Sequence, residues 1–98
     1  MFKSIEYTKI IDMPKMINNK EVFTGNSCKL VKLTNKYIIY SYDTIIGVII
    51  DNDIYISNKY YSRTTSKYTN ILKSSKYNKI YVDDEMGLKI VLRRKNNE

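Results

Sequence analysis

Ninety-eight residues are enough for one small domain spanning 1–98 and too few for two. With 43% hydrophobic and 28% charged residues the chain reads as folded rather than disordered, and a net charge of +7 points to acidic partners. The absence of His excludes Ser-His and Cys-His nucleophile pairs and every His-bearing metal site, and a single cysteine, Cys28, excludes an intramolecular disulfide.

In chain order, residues 1–22 form an N-terminal arm without a clean period. A short strand or irregular segment is expected near Phe2 to Thr8, Pro14 interrupts any helix begun before it, and Met16 to Glu21 suggests a loop or a single helical turn. Gly25-Asn26-Ser27 signals a turn. The pattern then becomes β: Lys29 to Thr34, Tyr37 to Tyr42, Ile45 to Ile50 and Ile54 to Ser57 are predicted strands, joined at Thr34-Asn35-Lys36, Asp43-Thr44 and Asp51-Asn52-Asp53. Tyr37 to Tyr42 and Ile45 to Ile50 are apolar on both faces, which places them inside the sheet. Gly47 leaves room for a bulge or for close approach of a neighbour, although a Gly merely tolerated in a strand fits equally well.

The period changes after Ser57. Tyr68, Ile71, Leu72 and Ser75 recur at helical spacing and predict a helix over about 65–76, capped by Thr64 or Thr65. Lys79 to Val82 and Leu88 to Arg93 predict a closing hairpin around the acidic turn Asp83-Asp84-Glu85-Met86-Gly87, with Leu88, Ile90 and Leu92 facing inward. The expected fold is α+β: an antiparallel meander of three to five strands, one main helix packed on it, and a C-terminal hairpin. The longest apolar stretch, Ile45 to Ile50, is too short to span a bilayer, and no opening segment has the form of a signal peptide. The reading is therefore a cytoplasmic protein without a membrane partner, its oligomeric state left open.

The segment from Lys59 to Lys79 carries six cations in twenty-one residues and no acid, interleaved with Tyr60, Tyr61, Tyr68 and Tyr77. Such a stretch raises a local positive field that polyanions answer. The candidate binding residues are Tyr61, Arg63, Thr64, Thr65, Ser66, Lys67, Asn70 and Lys73. Arg63 and Lys67 would flank the helix start, the hydroxyls would donate to phosphate oxygens, Asn70 would reach a base edge, and exposed tyrosines would stack on unpaired bases. Arg93, Arg94 and Lys95 form a secondary basic patch. The plainer reading assigns the hydroxyls to capping, the lysines to solvation and the tyrosines to the core. It accounts for each residue singly better than for the set, because a solubility face mixes signs and none of residues 54–82 is acidic.

Catalysis finds little support. Cys28 reads as a small buried hydrophobe, Asp83, Asp84 and Glu85 as a solvated turn rather than a Mg²⁺ site, and no GxxxxGK[ST] phosphate loop is present. No cofactor or metal is expected, and the function predicted from the residues is non-catalytic binding of nucleic acid or a nucleoprotein.

Three segments in order carry a resemblance: Phe23-Thr24-Gly25-Asn26-Ser27, then Tyr37 to Ile46 (YIIYSYDTII), then Tyr60 to Asn70 (YYSRTTSKYTN). Together they resemble a family of small uncharacterised proteins of phages and other mobile elements whose pattern runs F-x-G-N-S, Y-x-V-Y-S-Y-x-T-x-I-A and Y-Y-S-x-T-T-S-x-H-x-N. Gly47 stands where that family usually has Ala, and Tyr68 where it usually has His, so any proton-transfer or metal role of that His is lost here. The resemblance implies a mobile-element origin and brings no established activity. Small phage proteins often act by occupying a host factor, which makes an anti-defence (anti-CRISPR-like) inhibitor of a host protein complex the alternative to nucleic-acid binding; a phage structural or host-takeover accessory protein is a third reading.

Overall fold

A computed structural model of the chain describes residues 13–25 and 27–96, with side chains through Arg93. The predicted segment near Phe2 to Thr8 and Asn26 of the turn lie outside the described residues. Six strands line up in sequence order: β1 (Phe23–Thr24), β2 (Cys28–Leu33), β3 (Lys36–Ser41), β4 (Thr44–Ile50), β5 (Asp53–Ser57) and β6 (Asn78–Val82). β1 to β5 pair antiparallel, and β6 pairs with β5 in parallel. The pairs Leu33↔Lys36, Ser41↔Thr44 and Ile50↔Asp53 leave only two residues in each connecting loop. The first of each two, Thr34, Tyr42 and Asp51, adopts positive φ (58°, 57° and 56°), which lets so short a loop follow the twist of its strands.

A parallel neighbour cannot be reached by a hairpin, so the chain crosses back over the sheet between β5 and β6. The crossover is the helix α2 (Arg63–Lys73), preceded in the chain by α1 (Met13–Asn18) and followed by α3 (Glu85–Asn96). α1 and α2 cover one face of the sheet, where Met13, Ile17, Leu30, Ile39, Ile49, Ile54, Ile56, Tyr68 and Leu72 form one core. α3 covers the other, where Leu88 and Val91 pack on Ile38, Ile45, Val48 and Ile50. Burial on both faces is why β3 and β4 read as nearly unbroken apolar runs.

Gly47 combines both roles its position suggested. The register shifts between Ile39 and Tyr40, so Gly47 pairs with Ile39 while Ile45 pairs with Tyr40 and Ile46 is left over. This bulge puts Ile46 and Gly47 consecutively on the α2 face. A Cβ on Gly47 would lie 2.6 Å from Leu72 Cδ1, so the missing side chain lets Leu72 reach the strand.

Several expectations are corrected. Among the described residues the sheet has six strands rather than three to five, and three helices cover its two faces rather than one main helix on a single face. α2 spans Arg63–Lys73 instead of about 65–76, and its N-cap is Ser62, not Thr64 or Thr65. The C-terminal hairpin is absent: Lys79 to Val82 lies within β6, but Leu88 to Arg93 belongs to α3. Its buried positions are Leu88 and Val91, with Leu92 partly covered, a helical spacing; Ile90 is 43% exposed. The supposed acidic turn starts this helix. Asp84 Oδ1 accepts from Gly87 N at 3.3 Å, as an N-cap does, and Glu85 Oε2 accepts from Ile45 N at 2.9 Å, tying α3 to β4. Within the presumed arm, Met13–Asn18 is helical, with Pro14 in the first turn where its missing N–H costs nothing.

Candidate nucleic-acid interface

Helix α2 divides its residues by face. Thr65, Tyr68, Thr69 and Leu72, spaced three, one and three apart, are buried against the sheet. Arg63, Lys67, Asn70 and Lys73 lie on the outer side and are all exposed. Their spacing of four, three and three residues keeps them on one line of about 15 Å at 1.5 Å rise per residue. No acid occurs in the helix, and among the described residues no carboxylate pairs with these three cations. The first turn carries Arg63 against the helix dipole, an unfavourable placement for the helix alone, while Lys73 in the last turn complements it.

The hydroxyls do not share this face. Thr65 is buried, with its Oγ1 2.8 Å from Ser41 Oγ of β3 and accepting from Ser62 Oγ at 3.1 Å, while its own N–H donates to Ser62 Oγ at 3.1 Å. Thr64 and Ser66 are half-buried at its sides. Tyr61 also works inside the fold. Its hydroxyl accepts from Glu85 N at 3.0 Å and lies 3.2 Å from Ser57 Oγ, joining the end of β5 to the start of α3. Thr65 and Tyr61 therefore leave the set of ligand-binding residues. Thr65→Val is expected to cost about 2 kcal/mol, because Ser41 and Ser62 lose a partner in a buried site. Chemical denaturation reads that cost, and a change below about 0.5 kcal/mol would contradict the assigned role.

Of the four tyrosines between Lys59 and Lys79, Tyr68 and Tyr77 are buried and Tyr61 is half-buried; Tyr60, 69% exposed, alone offers a free ring. From the sequence, Tyr61 and not Tyr60 is expected among the binding residues; the two rings are adjacent and no local signal tells which is exposed. Arg93 is exposed in α3, on the opposite face of the sheet from α2, and the side chains of Arg94 and Lys95 lie outside the described residues. Arg93 thus lies apart from the α2 stripe.

The three quoted segments meet at the inner side of α2. Ser27 Oγ lies 2.5 Å from Tyr68 OH, Tyr42 N donates to Ser27 O at 2.9 Å, and Ser41 reaches Thr65. Tyr68 thus has a hydroxyl partner of its own. A sequence profile of the family of unknown function DUF8033 matches residues 11–87, which include all three segments and every element from α1 to the first turn of α3. The chain belongs to that family. Neither the curated proteins nor the solved structures contain a match to it. In this DUF8033 chain Ser27, Ser41, Thr65 and Tyr68 join the strands to the inner side of α2, and the exposed stripe stands on the other side.

No group of three Asp, Glu or Cys side chains among the described residues comes together in a way that would hold a metal ion. No helix among them is long and apolar enough to cross a membrane. Cys28 is buried, and burial pushes its thiol from 9.0 up to about 12. The nucleophilic thiolate is accordingly disfavoured. Between those two values the folded chain keeps a proton that the unfolded chain releases, so stability falls as pH rises above 9, by about 1.4 kcal/mol per pH unit. Tyr77, raised by burial and then by neighbouring Tyr37, adds to the same alkaline loss. Thermal melts at successive alkaline pH values should fall less steeply in Cys28→Ala; equal slopes would contradict the assignment.

Proposed function

We propose that this chain is a non-catalytic binding protein that engages nucleic acid or a nucleoprotein through the outer face of α2, in the cytoplasm of a cell invaded by the phage or mobile element that encodes it. One observation supports this most: Arg63, Lys67, Asn70 and Lys73 share one exposed line on a helix without an acid. A face serving solubility alone interleaves both signs. Lysine and arginine along such a line would contact phosphates, and Asn70 between them has the amide that pairs with a base edge.

The same surface suits an anti-defence inhibitor that docks on a host complex, either through the nucleic acid it carries or at an acidic patch. A pull-down from host lysate, run with and without nuclease and analysed for protein and nucleic acid, separates the two. Nucleic acid recovered with the bait, and companions released by nuclease, support the first reading. A protein complex retained after nuclease treatment would favour the inhibitor, and recovery of neither would contradict both.

A further inference from the structure

Beyond the end of α2 the basic surface does not stop. The chain continues through Lys76 and Tyr77 at the end of the sheet that carries the β2–β3 and β4–β5 turns. Tyr77 is buried there, its hydroxyl donating to Ile17 O and Asn18 O at 2.8 Å each. Tyr37 of β3 packs against the same core. Three ammonium groups gather on these two rings. Lys20 Nζ is 5.9 Å from the Tyr37 centroid and 5.7 Å from that of Tyr77; Lys32 Nζ is 5.8 Å from Tyr37, and Lys76 Nζ is 5.6 Å from Tyr77.

Hydrogen bonds hold two of the three in place as well. Lys76 N donates to Asn18 Oδ1 at 2.9 Å, and Lys20 Nζ to Asp51 O at 2.9 Å. Of the acids at this end, Asp53 takes Asn78 Nδ2 at 3.2 Å, while Glu21 and Asp51 are exposed. Like charges gathered at one end of the sheet repel, and the ring faces offset only part of that repulsion. A polyanion lying across them would relieve it.

We propose that Lys20, Lys32 and Lys76, seated on Tyr37 and Tyr77, form a second phosphate-contact zone continuous with the α2 stripe, and that the two together follow the backbone of duplex nucleic acid. This inference rests on the nucleic-acid reading above. Both zones lie on the α2 side of the sheet, and Lys76 follows Lys73 by three residues, a reach of at most about 10 Å. From Arg63 to Lys76 the track is then at most about 25 Å long, room for up to about seven phosphates of one strand at about 3.4 Å per nucleotide. A duplex is favoured over a single strand because the rings here face lysines and leave only Tyr60 among the four tyrosines of the basic segment open for stacking. The second zone reads phosphate alone and so adds little dependence on sequence.

The test is fluorescence anisotropy across a salt series, using labelled duplex of about 20 base pairs, longer than the track, and a single strand of the same length. Three proteins are compared: the unaltered chain, Lys32→Gln/Lys76→Gln and Arg63→Glu/Lys67→Glu, each checked for an unchanged melting transition. Lys32 and Lys76 are exposed, so the Gln pair should fold normally. Its slope of log affinity against log salt should shrink by about 1.8, two contacts at 0.9 each. Duplex should also bind more tightly than single strand. If the Gln pair keeps the full slope while the Glu pair loses binding, the second zone is overturned and the α2 assignment stands. If the Gln pair loses slope and the Glu pair does not, the second zone stands and the α2 assignment fails. Absence of binding by the unaltered chain, or a preference for the single strand, overturns the duplex track.

Discussion

Arg63→Glu/Lys67→Glu is expected to weaken nucleic-acid retention by roughly 100-fold, about 2.7 kcal/mol, with a melting transition close to that of the unaltered chain. Both side chains are exposed, and among the described residues neither has a carboxylate partner to lose. Reversing Arg63 also places an acid in the first turn of α2, where the dipole favours it, so the fold should not suffer. The effect on binding has the opposite sign. Each substitution removes a phosphate contact and adds repulsion, which depresses affinity across all sequences alike and lowers the salt slope. Gel retardation and thermal melts on the same preparations read the two effects separately. Retention equal to that of the unaltered chain would remove α2 from the interface.

The separation between binding and folding on one helix was only partly legible in the sequence. The period of Tyr68, Ile71 and Leu72 announced a helix, and the cations fell on its opposite side as that period requires. The hydroxyls gave no such signal. In Ser62-Arg63-Thr64-Thr65-Ser66 four candidates for a cap stand close together, and each is compatible with local rules. Ser62 becomes the cap because Thr65 is drawn into the bond with Ser41, a strand residue more than twenty positions earlier. A contact of that range leaves no local trace.

The central strands were readable for a different reason. β3 and β4 are apolar on both faces, and that pattern has few alternatives when turn residues bracket it. The C-terminal segment lacked such a bracket. Leu88-Lys89-Ile90-Val91-Leu92 fits alternation through Leu88, Ile90 and Leu92 as well as helical spacing through Leu88, Val91 and Leu92. Asp83-Asp84-Glu85 serves equally as a turn or as a helix start with acids at the positive end of the dipole. The decision comes from the sheet: β4 presents Ile45, Val48 and Ile50 on a face that α1 and α2 do not cover, and α3 buries it. A strand paired beside β6 would have left those residues in water.

Leu72→Ala is expected to cost about 3 kcal/mol, the second large effect. Leu72 is fully buried, and its truncation opens a cavity between α2 and β4 that the surroundings refill only in part. Gly47→Ala on its own should cost about 1–2 kcal/mol, because the new methyl falls 2.6 Å from Leu72 Cδ1 in a filled core. Combined, the two should destabilise by less than the sum of their separate costs. The added methyl then occupies space that the shortened side chain has vacated, with a favourable coupling of about 1 kcal/mol or more. Urea titrations of all four proteins give the coupling from the midpoints, provided the slopes agree. Simple additivity would mean that Leu72 and Gly47 do not compete for one volume.

The most direct measurement is a nitrogen–proton correlation NMR titration of the labelled chain with a short duplex at low salt. The account predicts progressive shifts at Arg63, Lys67, Asn70 and Lys73, while the amides of Leu88 and Val91 on the far side of the sheet stay in place. Shifts confined to α3, or none at a duplex concentration well above that of the protein, would contradict it.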